Sequence, residues 1–120
     1  MELIQLLKAL SDETRLRILN LLTKEELCVC EIEYLLNINQ SNASRHLNKL
    51  WVSKIITYEK RAQWVYYKLN EKLIKEYPFI SELLSNELNK MEISKLDLDR
   101  LNDYKNSDLT CENIKLLSKC

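Results

Sequence analysis

A chain of 120 residues holds one compact domain and a tail, and is too short for two full cores. It has no glycine and one histidine, His46, which excludes glycine-rich phosphate loops, dinucleotide fingerprints and multi-histidine metal sites. Lys+Arg and Asp+Glu both total 18, yet residues 40–70 hold six cations against one anion while both flanks are acidic, the asymmetry expected if one stretch meets phosphates.

Leu3, Leu6, Leu7 and Leu10 follow the i, i+3, i+4, i+7 spacing of a short amphipathic helix. Ser11, Asp12 and Glu13 read as a cap and acidic first turn of a second helix, with Leu16, Ile18, Leu19, Leu21 and Leu22 as core. A third helix is predicted to begin within residues 25–28 and to turn Ile32, Leu35 and Leu36 inward. Asn37 and Asn39 break it, asparagine being tolerant of left-handed backbone. A fourth helix is predicted from residue 40 or 41 to 53, with Ala43, Leu47 and Leu50 on its inner face. Gln40, Ser41, Asn42, Ser44, Arg45, His46, Asn48 and Lys49 crowd its other faces.

The pattern then becomes β-branched and aromatic at 55–58 and 64–69, as strands are, around a cationic tip at 59–63 that carries Lys60 and Arg61. Pro78 suits the first turn of a helix. Ile80, Leu83, Leu84, Leu88 and Met91 repeat at helical spacing, and Ile93, Leu96, Leu98, Leu101 and Tyr104 continue it or form another helix. Residues 1–93 are expected to form the DNA-binding and dimerisation domain, and 94–120 a helix and tail carrying two of the cysteines. No apolar run approaches the ~18 residues of a membrane span, so a cytoplasmic protein without a membrane partner is expected.

Helix, short turn, helix, then a hairpin with a basic tip is the order of a winged helix-turn-helix, mostly α with a small β-hairpin. A helix fits the major groove of B-DNA and meets base edges with its first turns. Gln40, Ser41, Asn42 and Ser44 are short enough to reach bases or phosphates. Arg45 suits a guanine or a phosphate, and Lys49, Lys60 and Arg61 suit the backbone. His46 fits a phosphate contact or the edge of the core. The apolar surplus of the first and C-terminal helices points to a homodimer, which places two reading helices about one DNA turn apart.

Four cysteines stand at 28, 30, 111 and 120. In a cytoplasmic chain they are expected as thiols rather than as a disulfide framework. On a regular helix Cys28 and Cys30 differ by about 200° in azimuth, so they share one ion only if the helix starts later or its first turn unwinds. Soft thiolates select soft ions.

The strings LSDETRLRIL (10–19), ELCVCE (26–31), QSNASRHL (40–47) and WVYY (64–67) resemble the ArsR/SmtB family of metal-sensing repressors, most nearly its arsenical-responsive members, over about residues 3–90. The ELCVCE string is the specific part. The resemblance implies a dimeric winged helix that binds operator DNA and leaves it when As(III) or Sb(III), as inducer, is held by Cys28 and Cys30. It implies no enzyme, organic cofactor or small-molecule substrate. Some members carry a third cysteine where Glu33 stands here, which leaves the third sulfur to Cys111, Cys120 or an outside thiol. Cadmium and lead sensors share the cysteine pair but add cysteines from an N-terminal extension, and residues 1–27 hold none. Such a sensor is the alternative within the family, and a thiol module that stores metalloid and docks a protein is the alternative outside it. Lys54 and Ala62 stand where members often have glycine, the residue that relieves positive φ.

Overall fold

The computed structural model describes residues 2–110 and 112–114. In chain order α1 (Glu2–Leu10), α2 (Glu13–Leu22), β1 (Leu27–Cys28), α3 (Val29–Leu36) and α4 (Gln40–Val52) precede a hairpin of β2 (Ile56–Arg61) and β3 (Trp64–Leu69). Then come α5 (Glu71–Glu76), α6 (Pro78–Glu82), a π-turn (Leu83–Glu87), a 3-10 turn (Leu88–Lys90) and α7 (Glu92–Lys105). This is a winged helix-turn-helix, mostly helical with a small antiparallel sheet. No helix of the described residues is long and apolar enough to cross a membrane.

Local chemistry sets the helix ends. Asp12 is the N-cap of α2, and its carboxylate accepts the Arg15 N–H at 3.0 Å. Asn37 ends α3 in the left-handed conformation at φ 55°, and Asn39 caps α4 by accepting the Asn42 N–H at 2.8 Å. The predicted turn is therefore built by its two asparagines. Ile18, Leu19, Leu35, Leu47 and Leu50 are fully buried, each worth about 1.5–3 kcal/mol, and together they join α2, α3 and α4.

Two predicted boundaries need correction. Residues 27–28 do not begin a helix. Leu27 and Cys28 pair with Tyr67 and Tyr66 of β3, giving a three-stranded sheet of order β1-β3-β2, and α3 starts at Val29. Backbone pairing to the hairpin is the competing interaction that wins there. The wing tip is also tighter than the predicted 59–63, because Arg61 pairs with Trp64. The C-terminal region is broken by Met91, whose extended backbone (φ −81°, ψ 127°) caps α7.

α7 packs on α2 and α3 and sends Leu101 and Tyr104 into the same core. Its buried Asp97 meets Arg17 of α2 in a bidentate pair, with both N–O distances 2.9 Å. Asn20 donates to the Ser94 carbonyl beside it at 3.2 Å.

Lys54 (φ 68°) and Ala62 (φ 55°) both occupy the left-handed region, where a Cβ costs roughly 1–2 kcal/mol. Lys54→Gly and Ala62→Gly are each expected to stabilise the fold by about 1 kcal/mol, less the entropy glycine adds to the unfolded chain. Urea unfolding at unchanged m-value measures this.

Candidate nucleic-acid interface and thiol site

The sequence of α4 divides cleanly between its faces. Ala43, Leu47 and Leu50 are buried, while Gln40, Ser41, Ser44, Arg45, Asn48 and Lys49 are exposed and Asn42 is half-buried. The Asn42 amide oxygen accepts from Arg45 Nη2 at 3.0 Å, which holds the guanidinium on the first turns of the helix. The exposed side thus carries the short polar and cationic groups that base edges and phosphates require.

His46 is not on that face. It is buried on the inner side, where Arg15 Nη1 lies 3.1 Å from its Nδ1. Arg15 is always a donor, so Nδ1 accepts and the ring is neutral. Arg15 also donates to the Ala9 carbonyl at 2.6 Å and the Lys8 carbonyl at 3.1 Å. One guanidinium therefore closes the C-terminus of α1 and fixes the inner side of α4. Burial holds the His46 imidazole below its ordinary pKa of 6.5; Asp12 opposes this, and Arg15, Arg45 and Lys49 reinforce it. The folded state thus disfavours a proton that the unfolded chain takes up. The stability contributed by neutral His46 is complete above about pH 6.5 and is lost as pH falls below it. Between about pH 7.5 and 5.5, a range straddling the reference histidine pKa, the wild type is expected to lose more unfolding free energy than His46→Gln. Equal losses in paired urea titrations contradict it.

The hairpin separates its charges by strand alternation. Glu59 and Arg61 lie opposite Tyr66 and Trp64 on one face; Tyr58 and Lys60 lie opposite Tyr67 and Val65 on the other. The second face turns toward α4: Tyr58 stacks at 5.9 Å between Trp51 and Tyr67, and a cleft of about 510 Å³ lined by Ser44, Asn48, Trp51, Tyr58 and Val65 runs between helix and wing. Lys60 makes no ion pair among the described residues. Arg61 is engaged on the first face. It meets Glu26 at 2.9 Å and Glu59 at 2.7 Å, and its guanidinium lies 4.9 Å from the Tyr66 ring centre. The Arg61 guanidinium holds the Glu59 carboxyl below its usual range.

Cys28 and Cys30 flank the start of α3. Cys28 is the N-cap, with extended backbone (φ −87°, ψ 169°), and Cys30 lies in the first turn. The helix begins after Cys28, so the azimuth that a regular helix imposes on positions two apart does not apply to this pair. Both are nearly inaccessible, at 2% and 5% exposure. Cys28 is a buried thiol. Cys111 and Cys120 lie outside the described residues. Glu31 joins Cys28 in a capping box: one carboxylate oxygen accepts the Cys28 N–H at 3.0 Å and the other accepts the hydroxyl of Tyr104 from α7. Burial pushes the Glu33 carboxyl above its ordinary value. Among the described residues, no three His, Cys, Asp or Glu side chains cluster to hold an ion.

Sequence reasoning did not single out Glu26, Glu31, Tyr104 or Arg15 as functional. Glu26 and Glu31 lie inside the ELCVCE string, which was the available signal. Arg15 lies inside the LSDETRLRIL string, whereas nothing in the sequence marks Tyr104, whose partner is 73 residues away.

Residues 12–57 match the model of the bacterial regulatory proteins of the arsR family, a segment running from the cap of α2 to the start of β2. The chain is similar to an arsenic resistance transcriptional regulator of Pseudomonas putida, 44% identical over 64 residues that cover 52% of this chain and 50% of that protein. It thus spans about half the length of that relative. It is 36% identical over 85 residues to the arsenical resistance operon repressor of Bacillus subtilis, covering 70% of this chain and 75% of that one. Among solved structures, reduced HlyU from Vibrio cholerae superposes with a TM-score of 0.59 at 34% identity, over 71% of this chain and 90% of that chain. Relatedness of this extent joins the observed helix pair, wing and cysteine-bearing strand, and the chain belongs to the arsR family of bacterial regulatory proteins.

Proposed function

We propose that the protein is a homodimeric transcriptional repressor that binds operator DNA and releases it when trivalent arsenic or antimony binds Cys28 and Cys30. One observation carries this reading. The segment holding both sulfurs is a strand of the wing sheet at one end and the first turn of α3 at the other, and α3 packs directly on α4. Each arsenic–sulfur bond forms as a thiol loses its proton and arsenite loses a hydroxide, together leaving as water. Drawing two buried sulfurs onto one centre deforms this segment, and with it the placement of helix and wing. The third position falls to Cys111, Cys120 or an outside thiol.

The proposed DNA-contacting groups are Gln40, Ser41, Asn42, Ser44, Arg45, Asn48 and Lys49 on α4 and Lys60 on the wing. Leu3, Ile4 and Leu7 form an exposed apolar stripe on α1, which a second copy of the chain covers in the dimer.

A gel-shift titration of the reduced protein, on the DNA upstream of its gene, tests the reading. Binding is expected to fall steeply with salt, and As(III) and Sb(III) are expected to release the DNA at concentrations where Cd(II) and Zn(II) do not. Release by Cd(II) alone refutes the metalloid assignment. Absence of salt-dependent binding refutes the repressor.

A further inference from the structure

Arg61 and Lys60 are neighbours at the tip of a cationic hairpin, and the sequence gives both the same role. The structure separates them. Strand alternation places Lys60 with Tyr58, on the face that turns toward α4, and Arg61 with Tyr66, on the opposite face. That opposite face belongs to the thiol segment. Tyr66 is the register partner of Cys28, and Arg61 reaches past β3 to both carboxylate oxygens of Glu26 at 2.9 Å, two residues before Cys28. A cavity of about 650 Å³ runs along this side, lined by Glu26, Glu31, Arg61, Trp64, Tyr66 and Tyr104 among others. The segment is also held by α7, whose Lys105 pairs with Glu25 at 2.8 Å along the same cavity.

We infer that Arg61 is a positioning residue, which fastens the wing to the strand entering Cys28, and that Lys60 is the wing's phosphate contact. The inference rests on the proposed repressor function but concerns a separate link. β1 has only two paired residues, a short ladder for holding the hairpin. The guanidinium adds a second attachment at the tip, the point where leverage on the wing is greatest. A change at the Cys28–Cys30 turn that parts Cys28 from Tyr66 also pulls Glu26 from Arg61, so the wing leaves its DNA-bound position together with the thiol segment. A coupling of this kind needs an element with two arrangements, and the attached and detached wing supplies it.

The test compares Arg61→Gln, Glu26→Gln, the double variant, Arg61→Lys and Lys60→Gln in the reduced full-length chain. Amide exchange at residues 26–28 and 64–67 is expected to quicken roughly three- to fivefold in Arg61→Gln and Glu26→Gln alike. The double variant should be no faster than either single one. Arg61→Lys should restore part of the protection, and Lys60→Gln should leave it unchanged. On operator DNA, Lys60→Gln is expected to flatten the dependence of log affinity on log salt by about 0.9, the share of one phosphate, while Arg61→Gln keeps the wild-type slope. Arsenite should then release DNA several-fold less effectively from Arg61→Gln and Glu26→Gln than from wild type. Unchanged exchange in the two single variants overturns the attachment, whatever the DNA results. A slope loss in Arg61→Gln without one in Glu26→Gln overturns it in favour of a phosphate contact. Failure of arsenite to release the wild type refutes the repressor reading alone, since exchange and slope judge Arg61 without inducer.

Discussion

Cys28→Ser and Cys30→Ser are each expected to leave operator binding intact and to abolish its reversal by arsenite. The geometry argues for retained folding at position 28. Cys28 is the N-cap of α3 with extended backbone, and serine is among the preferred residues there. Position 30 is more demanding, since a hydroxyl replaces a buried sulfur and needs a partner in the first turn. Release fails for a different reason. Two sulfurs on one short segment act as a chelate, and a single sulfur forfeits the second attachment, so arsenite binding should weaken by roughly 10²–10⁴. By linkage, DNA weakens inducer binding by the factor that inducer weakens DNA binding. Titrating arsenite into reduced wild type and variants, with and without operator, measures both. Loss of DNA binding by the untreated variants, with their circular dichroism unchanged, contradicts a purely sensory role.

The largest effect on stability is expected at the seam between α2 and α7. Asp97 has a side chain only 2% exposed, and its bidentate partner Arg17 is 17% exposed. Hydrogen bonding to Asp97 raises the Arg17 pKa, against the opposing effect of burial. The two partners are not equivalent. Arg17→Met strands a carboxylate away from water and should cost about 3 kcal/mol, the low end for breaking a buried pair. Asp97→Ala strands a guanidinium that can swing to solvent, and should cost about 1–2 kcal/mol. Arg17→Met combined with Asp97→Leu should recover most of the loss, because a packed apolar pair replaces the ion pair without a stranded charge. Urea unfolding of the three variants reads the cycle. Equal costs for the two single variants contradict the argument from exposure.

The DNA-reading half was largely legible in the sequence. Ala43, Leu47 and Leu50 announced the inner face of α4, Asn37 and Asn39 announced its turn, and the aromatic runs announced the wing. What stayed hidden depends on partners far along the chain. β1 is invisible locally, because two residues become a strand only when Tyr66 and Tyr67 arrive to pair with them. The inward turn of His46 depends on Arg15, and its i, i+3 and i+4 neighbours serve either reading. Leu83, Leu84 and Leu88 keep helical spacing through a π-turn and a 3-10 turn, since apolar period alone does not distinguish these windings. The opposite duties of Lys60 and Arg61 follow from which side of a strand each side chain takes, and that depends on a register set by a two-residue tip.

The burial of Cys28, at 2% exposure, has a kinetic side. Under the proposed function, a solute that reaches so enclosed a sulfur waits for the surrounding segment to open. At high arsenite the rate of the proposed DNA release would then stop rising with concentration and settle at the frequency of that opening. The top speed of the proposed switch would then be a property of the chain's own fluctuations.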